Sequence, residues 1–552
     1  IALKDSKQVN IIGSDLNAGN DLVVSAGEVV TIDAGQEDYQ YSYKKKKSGS
    51  FGLSSSGKER QEQRMSTIGT NIMAANDAIL ISGTDTNVLA SKIEADDNIG
   101  IQAGGNINML SRQNTAFTME ADSSSSFGAD LSYEAAMEES GKSTVTQVGA
   151  ELKAKNIQLQ AGSNINIIAS DIAAANDAVL VAGLEAEGGS IYIASAADTL
   201  SSYSQTETID AGLAISEFTK EATTHDIDSR TQVGSLVRAG NNLTLVSADD
   251  TLVSASKLEA GSDITVRAGG QVQLVAAQNT YFEEQEEDST TWGVIDSFQG
   301  QSYNEAQTTK SGSEVTHARS ELSAGGDINI TAGSDIISQA AKFESGGDTA
   351  LTSGGKIAFL TVTDTKSEQE DSDENGSVFV SAEGEGTVDE SVQHTEITTG
   401  GELKLAAKDG ILVEYREETD EEKAAFSNEK NKKWEIDQQQ MLAAGFNISR
   451  DMFEPYQEGE QGNNLKRTLS NLATNTPELA WMDELQQRDD VDWQAVAEAH
   501  EQWDYEHEGI SEIATLVIVV VIAIFTAGVG AGAGAAGGTA GTGAAAGTAA
   551  AG

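Results

Sequence analysis

The chain has 552 residues, 35 Lys and Arg against 87 Asp and Glu, a net charge of −52, 55 Gly, two Pro and no Cys. That charge opposes binding to phosphate backbones and anionic headgroups, so no nucleic-acid partner is expected. The absence of Cys excludes disulfides, Cys-ligated zinc and thiol catalysis.

From the N-terminus the informative signal is self-similarity. Ile1-Ala2-Leu3-Lys4 carries neither Met nor a signal-like leader, and the repeat arithmetic implies a piece of something longer. One apolar position recurs as Ile72, Leu152, Val237, Leu322 and Ile397. Each of the first four has a copy 20 or 21 residues later, at Ile93, Ile172, Leu258 and Phe343. Leu16 is another such second copy, so the first half of its module is missing. At an offset of 165, Thr67-Ile68-Gly69 matches Gln232-Val233-Gly234, Gln113-Asn114-Thr115 matches Gln278-Asn279-Thr280, and Phe127-Gly128 matches Trp292-Gly293.

Within a module, short apolar alternation is broken by Gly and Asn or Asp, as in Ile328-Asn-Ile330 and Ile165-Asn-Ile167. Alternation over three to five residues predicts short strands, and the small residues predict corners. A recurrence of about 20 residues then fits one coil of a parallel β-helix with inward Ile, Leu and Val. Residues 1–416 contain no Pro, as expected of strands paired on both sides. The expected organisation is a partial repeat at 1–66, repeats at 67–146, 147–231, 232–316 and 317–394, and a terminal coil at 395–416. Polar stretches at 39–62, 117–146, 201–230, 281–316 and 365–394 do not read as coils. They are expected to be hairpin arms or loops, where binding functions usually sit.

Composition changes near residue 417. Both prolines and four of the five Trp lie beyond it. Residues 417–510 are expected to be charged and helical, with Trp493, Val496, His500, Trp503 and His507 on one helical stripe. Residues 511–552 form an apolar, Gly/Ala-rich segment. Its run Leu516, Val517, Ile518, Val519, Val520, Val521, Ile522, Ala523, Ile524 and Phe525 is a membrane-active candidate, since Ile513 to Val529 is about long enough to cross a bilayer. A buried β-rich domain core and a disordered tail are the alternatives.

The Ala-Gly-(Gly)-Asp/Asn-Ile repeats, with Gln-Asn-Thr in two modules, resemble the haemagglutinin repeats of filamentous haemagglutinin-type exoproteins over about residues 9–416. The 491–505 stretch and the apolar run after it resemble a poorly characterised region that follows such repeats in contact-dependent growth inhibition effectors. The resemblance implies an all-β, right-handed parallel β-helix exported from a Gram-negative cell by two-partner secretion. It implies an outer-membrane transporter, engaged through an N-terminal domain not seen here, and a place on the cell surface. The first functional expectation is a scaffold that displays and helps deliver a C-terminal toxin not present in this chain. Its other partners would be a receptor on a target or host cell, and the target membrane. An adhesin for glycan or protein is the second expectation, and a β-helical carbohydrate-active enzyme the third.

Other constellations carry little. Gly532-Ala-Gly534-Ala-Ala-Gly537 has the glycine spacing of a dinucleotide fingerprint but no acidic residue before the chain stops. His500-Glu501 lacks a second His four residues on, so no metal is expected there. Asn106, Asn164, Asp263, Asp327, Asp335 and Asp348 recur too widely for a calcium roll, and corner ladders explain them. Lys44 to Lys47 reads as a solvated hairpin tip. No catalytic residue and no cofactor is expected.

Overall fold

The computed structural model describes residues 1–419, apart from 50–51, 130, 184–187, 213–216, 295–300 and 377–379, together with residues 422 and 461–509. Each complete coil contains three strands separated by tight corners. In one, Asn71–Ala74 forms the first face, Ala78–Ser82 the second and Thr86–Leu89 the third. Every second residue points inward: Ile72, Ala74, Ala78, Leu80 and Val88 are buried, while their neighbours stand outside. Strands of successive coils pair in parallel, which requires a backbone donor at every step.

The first face is a ten-stranded parallel sheet. Leu16, Ile72, Ile93, Leu152, Ile172, Val237, Leu258, Leu322, Phe343 and Ile397 pair in that order, so they form one stacked column. These are the ten positions picked out by sequence recurrence. Except for half-buried Leu16, they are buried in the core.

The corners explain the glycines. Asp327 N–H donates to the Asp263 carboxylate, Asp348 N–H to Asp327, and Glu402 N–H to Asp348, each at 2.8 Å. A Cβ on Gly326, Gly347 or Gly401 would overlap the Oδ1 of Asp263, Asp327 or Asp348, respectively. Asp85 with Gly105, and Asp250 with Gly270, repeat the arrangement. Each acidic corner therefore satisfies a backbone donor of the next coil and leaves space only for Gly there.

Beyond the last coil the region 417–510 is not uniformly helical. Helices Gln461–Asn475 and Ala480–Leu485 bury Leu469, Leu472, Trp481, Met482 and Leu485 in the same core as the coils. Trp481 packs on Phe359 with ring centroids 4.6 Å apart, and its indole donates to the Thr395 carbonyl. The helices cover an end where inward side chains would otherwise face water, as terminal caps of repeat proteins must. Arg467, half-buried, is ion-paired to the buried Glu418, which also accepts from Asn471 at 2.8 Å.

The stripe of Trp493, Val496, His500, Trp503 and His507 is a correction. Trp493 and Val496 lie in strand Val491–Val496, and the other three lie in strand His500–Gly509. Their spacing of three and four fits a helix, but so does an alternating reading fit strands: Val491 and Trp493, then Trp503 and Tyr505. Two open sheet edges decide between them. Val491–Val496 pairs in parallel with Ile411–Arg416 of the last coil, and His500–Gly509 pairs antiparallel with Val380–Gln393. Edge hydrogen bonds outweigh the small differences in helix propensity.

Candidate functional site

The polar stretches fold as five long hairpins: Gly35–Ser48 with Ser54–Ile68, Arg112–Phe127 with Ser132–Val148, Ala196–Gly212 with Glu217–Val233, Ala277–Val294 with Gln301–Ala318, and Val362–Gly376 with Val380–Gln393. They do not project singly. Together with His500–Gly509 they form one eleven-stranded sheet beside the solenoid. The geometry follows from spacing. From the second hairpin on, each is separated from its predecessor by two coils, and both two coils and two hairpin strands advance about 9.6 Å. The two sheets therefore stay in step.

A shared foot holds neighbouring hairpins together. The side-chain Oδ1 of Asn114 accepts from Thr67 N–H at 2.6 Å, and that of Asn279 accepts from Gln232 N–H at 2.7 Å. Asp198 takes the same part towards Gln147 N–H. This is the role of the repeated Gln-Asn-Thr motif. In the next module Asp364 pairs instead with the ring of His317, at 2.8 Å.

Direct cross-strand partners share a face, so register sorts the side chains. Tyr39, Tyr41 and Tyr43 stand on one face of the first hairpin and are exposed. Lys44, on the opposite face, is paired with Glu59 at 2.6 Å, and Lys58 with Asp122. Towards the tips the opposite face carries a continuous rung: Phe127, Tyr133, Ala211, Phe218, Trp292 and Tyr303, each directly opposite the next. Phe127, Tyr133 and Tyr303 are 37%, 37% and 41% exposed. The matched residues Phe127 and Trp292 of the sequence repeat meet in this rung. Sequence reasoning saw their recurrence but not that register would align them.

On the same face three glycines are covered by aromatic rings from the next strand. Tyr203 lies over Gly141, Trp503 over Gly386 and Tyr505 over Gly384. A ring opposite Gly shields backbone that has no side chain of its own. Gly384-x-Gly386 thus receives Trp503-x-Tyr505, and the Tyr505 hydroxyl donates to Asp371 at 3.0 Å. At the foot of this strand Val392 N–H donates to Glu498 at 2.7 Å, and Ala499 N–H donates to Glu390 at 2.9 Å.

His394 lies inside that junction. Its Nε2 accepts from Arg416 N–H at 2.9 Å. Burial, and then the cations of Arg416 and Arg319, pull its pKa down to about 4. His500 is exposed; its hydrogen bond to Asp389 raises its pKa. His507 lies opposite Ala382 in register. Leu516, Val517, Ile518, Val519, Val520, Val521, Ile522, Ile524 and Phe525 lie outside the described residues. Among the described residues no helix is long and apolar enough to cross a membrane.

An extended parallel solenoid with a lateral hairpin sheet and a capped end defines a structural scaffold. Residues 1–63, 51–143, 131–223, 216–301 and 299–396 each match the model of the hemagglutinin repeat, and the chain belongs to that family. It is 24% identical over 339 residues to the 16S rRNA endonuclease CdiA of Enterobacter cloacae subsp. cloacae, covering 47% of this chain and 10% of that protein. It is 26% identical over 222 residues to the tRNA nuclease CdiA-2 of Burkholderia pseudomallei, covering 38% of this chain and 7% of that one. With the toxin CdiA of Yersinia pestis it shares 25% identity over 288 residues, covering 50% of this chain and 8% of the relative. The chain thus spans a tenth or less of the length of these relatives. No solved structure matches.

Proposed function

We propose that this chain is the extracellular scaffold of a contact-dependent toxin-delivery protein. It displays and helps deliver a cargo domain that follows the capped end, after export through an outer-membrane transporter and attachment to a target cell. The observation that carries the reading is the continuous, capped hemagglutinin-repeat solenoid, together with its likeness to relatives named as toxins and nucleases. A solenoid can position a cargo but has no means of passing it through lipid. The run Leu516 to Phe525 is the uncharged apolar stretch that could engage a bilayer where cargo begins.

The test is a cell-mixing assay with a toxin fused after Gly552 in the full secreted protein. Val519→Arg places a charge at mid-bilayer, at roughly 3 kcal/mol. Delivery should be abolished while secretion and attachment persist. Full delivery by the variant would show that the segment has no membrane role.

A further inference from the structure

The outward side chains of the solenoid are sorted by charge from face to face. Two columns stand on the second face. One runs from Val23 through Ile79 and Val179 to Lys404, the other from Ser25 through Ile81 and Val246 to Ala406. Over ten levels neither column holds a carboxylate, and the charges they do hold are the cations Arg267 and Lys404. The first face of the same coils differs: there Lys92, Glu94, Glu151 and Lys153 form ion pairs from strand to strand. Ile79 and Ile81 are 37% and 39% exposed, and Gln102, Gln158 and Asn329 are exposed on the same face. We propose that the second face is a self-association surface, on which a second copy of this chain packs antiparallel about the row of Gln158 and Gln160.

Charge and area select a copy as the occupant. Each chain carries −52, and columns without a carboxylate let two such chains meet without setting acid against acid. Register selects the arrangement. A two-fold axis along the strands at Gln158 sets each level against the level equally far on the other side. Ile81 then faces Val246 of the second copy, and Ile79 faces Thr244. Val179 faces Gly100, whose missing side chain leaves a hollow for it. Gln158 and Gln160 face their own copies, and an amide both donates to and accepts from another amide. Packing in the same direction would instead bring the two Arg267 to one level and the two Lys404 to another. The antiparallel pair overlaps from Val23 to Thr265, about 34 Å along the axis by about 16 Å of strand, or about 1,100 Å² over both copies. That area lies near the lower bound for a specific interface and fits a reversible dimer rather than an obligate one.

The measurement is sedimentation equilibrium of the full chain from about 1 to 100 µM, where a monomer–dimer equilibrium with a dissociation constant of about 10 µM is expected. Because the two chains repel outside the contact, raising the salt from about 0.05 to 0.5 M should tighten the dimer severalfold. Ile81→Glu and Val246→Glu, both outward, should each weaken it about tenfold or more, with the melting temperature kept. Ile81→Glu combined with Val246→Lys in one chain should recover the dimer, since the two positions face each other in both halves. A second readout uses the absence of native Cys. Gln158→Cys should give a covalent dimer with a short bis-maleimide, whereas Val23→Cys, whose two copies stand about 29 Å apart, should not. Monomer at every concentration, a dimer indifferent to both glutamates, a double variant no tighter than the single ones, or equal cross-linking at both positions overturns the proposal.

Discussion

Ile264 and Ile328 pair in adjacent coils and are fully buried. Ile264→Asp or Ile328→Asp places an unpaired charge inside the stack and should cost several kcal/mol. Glu283→Lys removes an exposed pair with His225 and a bond from Tyr281, and should cost less than about 1 kcal/mol. Thermal melts separate the two classes. Gly347→Ala should cost about 1–3 kcal/mol, because its Cβ meets the Asp327 carboxylate. Adding Asp327→Ala should restore part of that loss, and strict additivity in melting would contradict the corner account. The inward positions were legible in sequence because they recur. The glycine requirement was not, because it depends on a carboxylate 20 or more residues away. His394 adds a pH dependence. Its folded pKa of about 4 lies below the unfolded value, so the unfolded chain takes the proton first. Its contribution is complete above about pH 6.5 and is lost as pH falls towards 4, by roughly 3 kcal/mol in all. Melting curves of His394→Asn should fall less steeply over that window than those of the native chain.

At the scale of elements, the strands of the solenoid were readable from alternation, whereas the polar stretches were marked off only as not coil-like, with hairpin and loop both open, and their union in one sheet depends on pairing between modules. The strand His500–Gly509 was not, because its identity depends on a partner more than a hundred residues earlier. Trp503 and Tyr505 are the specific part of that pairing. Trp503→Ala should expose Gly386 and loosen the last strand, leaving the stacked coils unchanged. Hydrogen exchange should then quicken in 500–509 and along Val380–Gln393, with the protection of Ile328–Ala332 retained. Uniform quickening throughout the chain would argue against an independent last strand. The Gln-Asn-Thr motif shows the same limit. Its recurrence was visible in sequence, but its function as a foot between hairpins appears only when register brings Asn114 to Thr67.

On the scale of the whole molecule, the third face runs from Ala2–Ile12 to Val491–Val496 and comprises twelve levels, about 53 Å of axis. The hairpins add width rather than coils. The match of two hairpin strands to two coils binds both sheets into one body and sets the module length. Deleting residues 151–235 joins Ala150 to Leu236 and removes two coils with one hairpin. Deleting residues 151–170 joins Ala150 to Asp171 and removes one coil with no hairpin. The direct measurement is thermal unfolding of both deletion variants, with small-angle scattering for length. The whole-module deletion should melt cooperatively within a few degrees of the parent and be shorter by about 10 Å. The single-coil deletion should lose cooperativity, since its neighbouring hairpins stand one coil apart where two strands need two. Equal tolerance of both deletions would contradict the claim that the hairpin sheet and the solenoid are held in step.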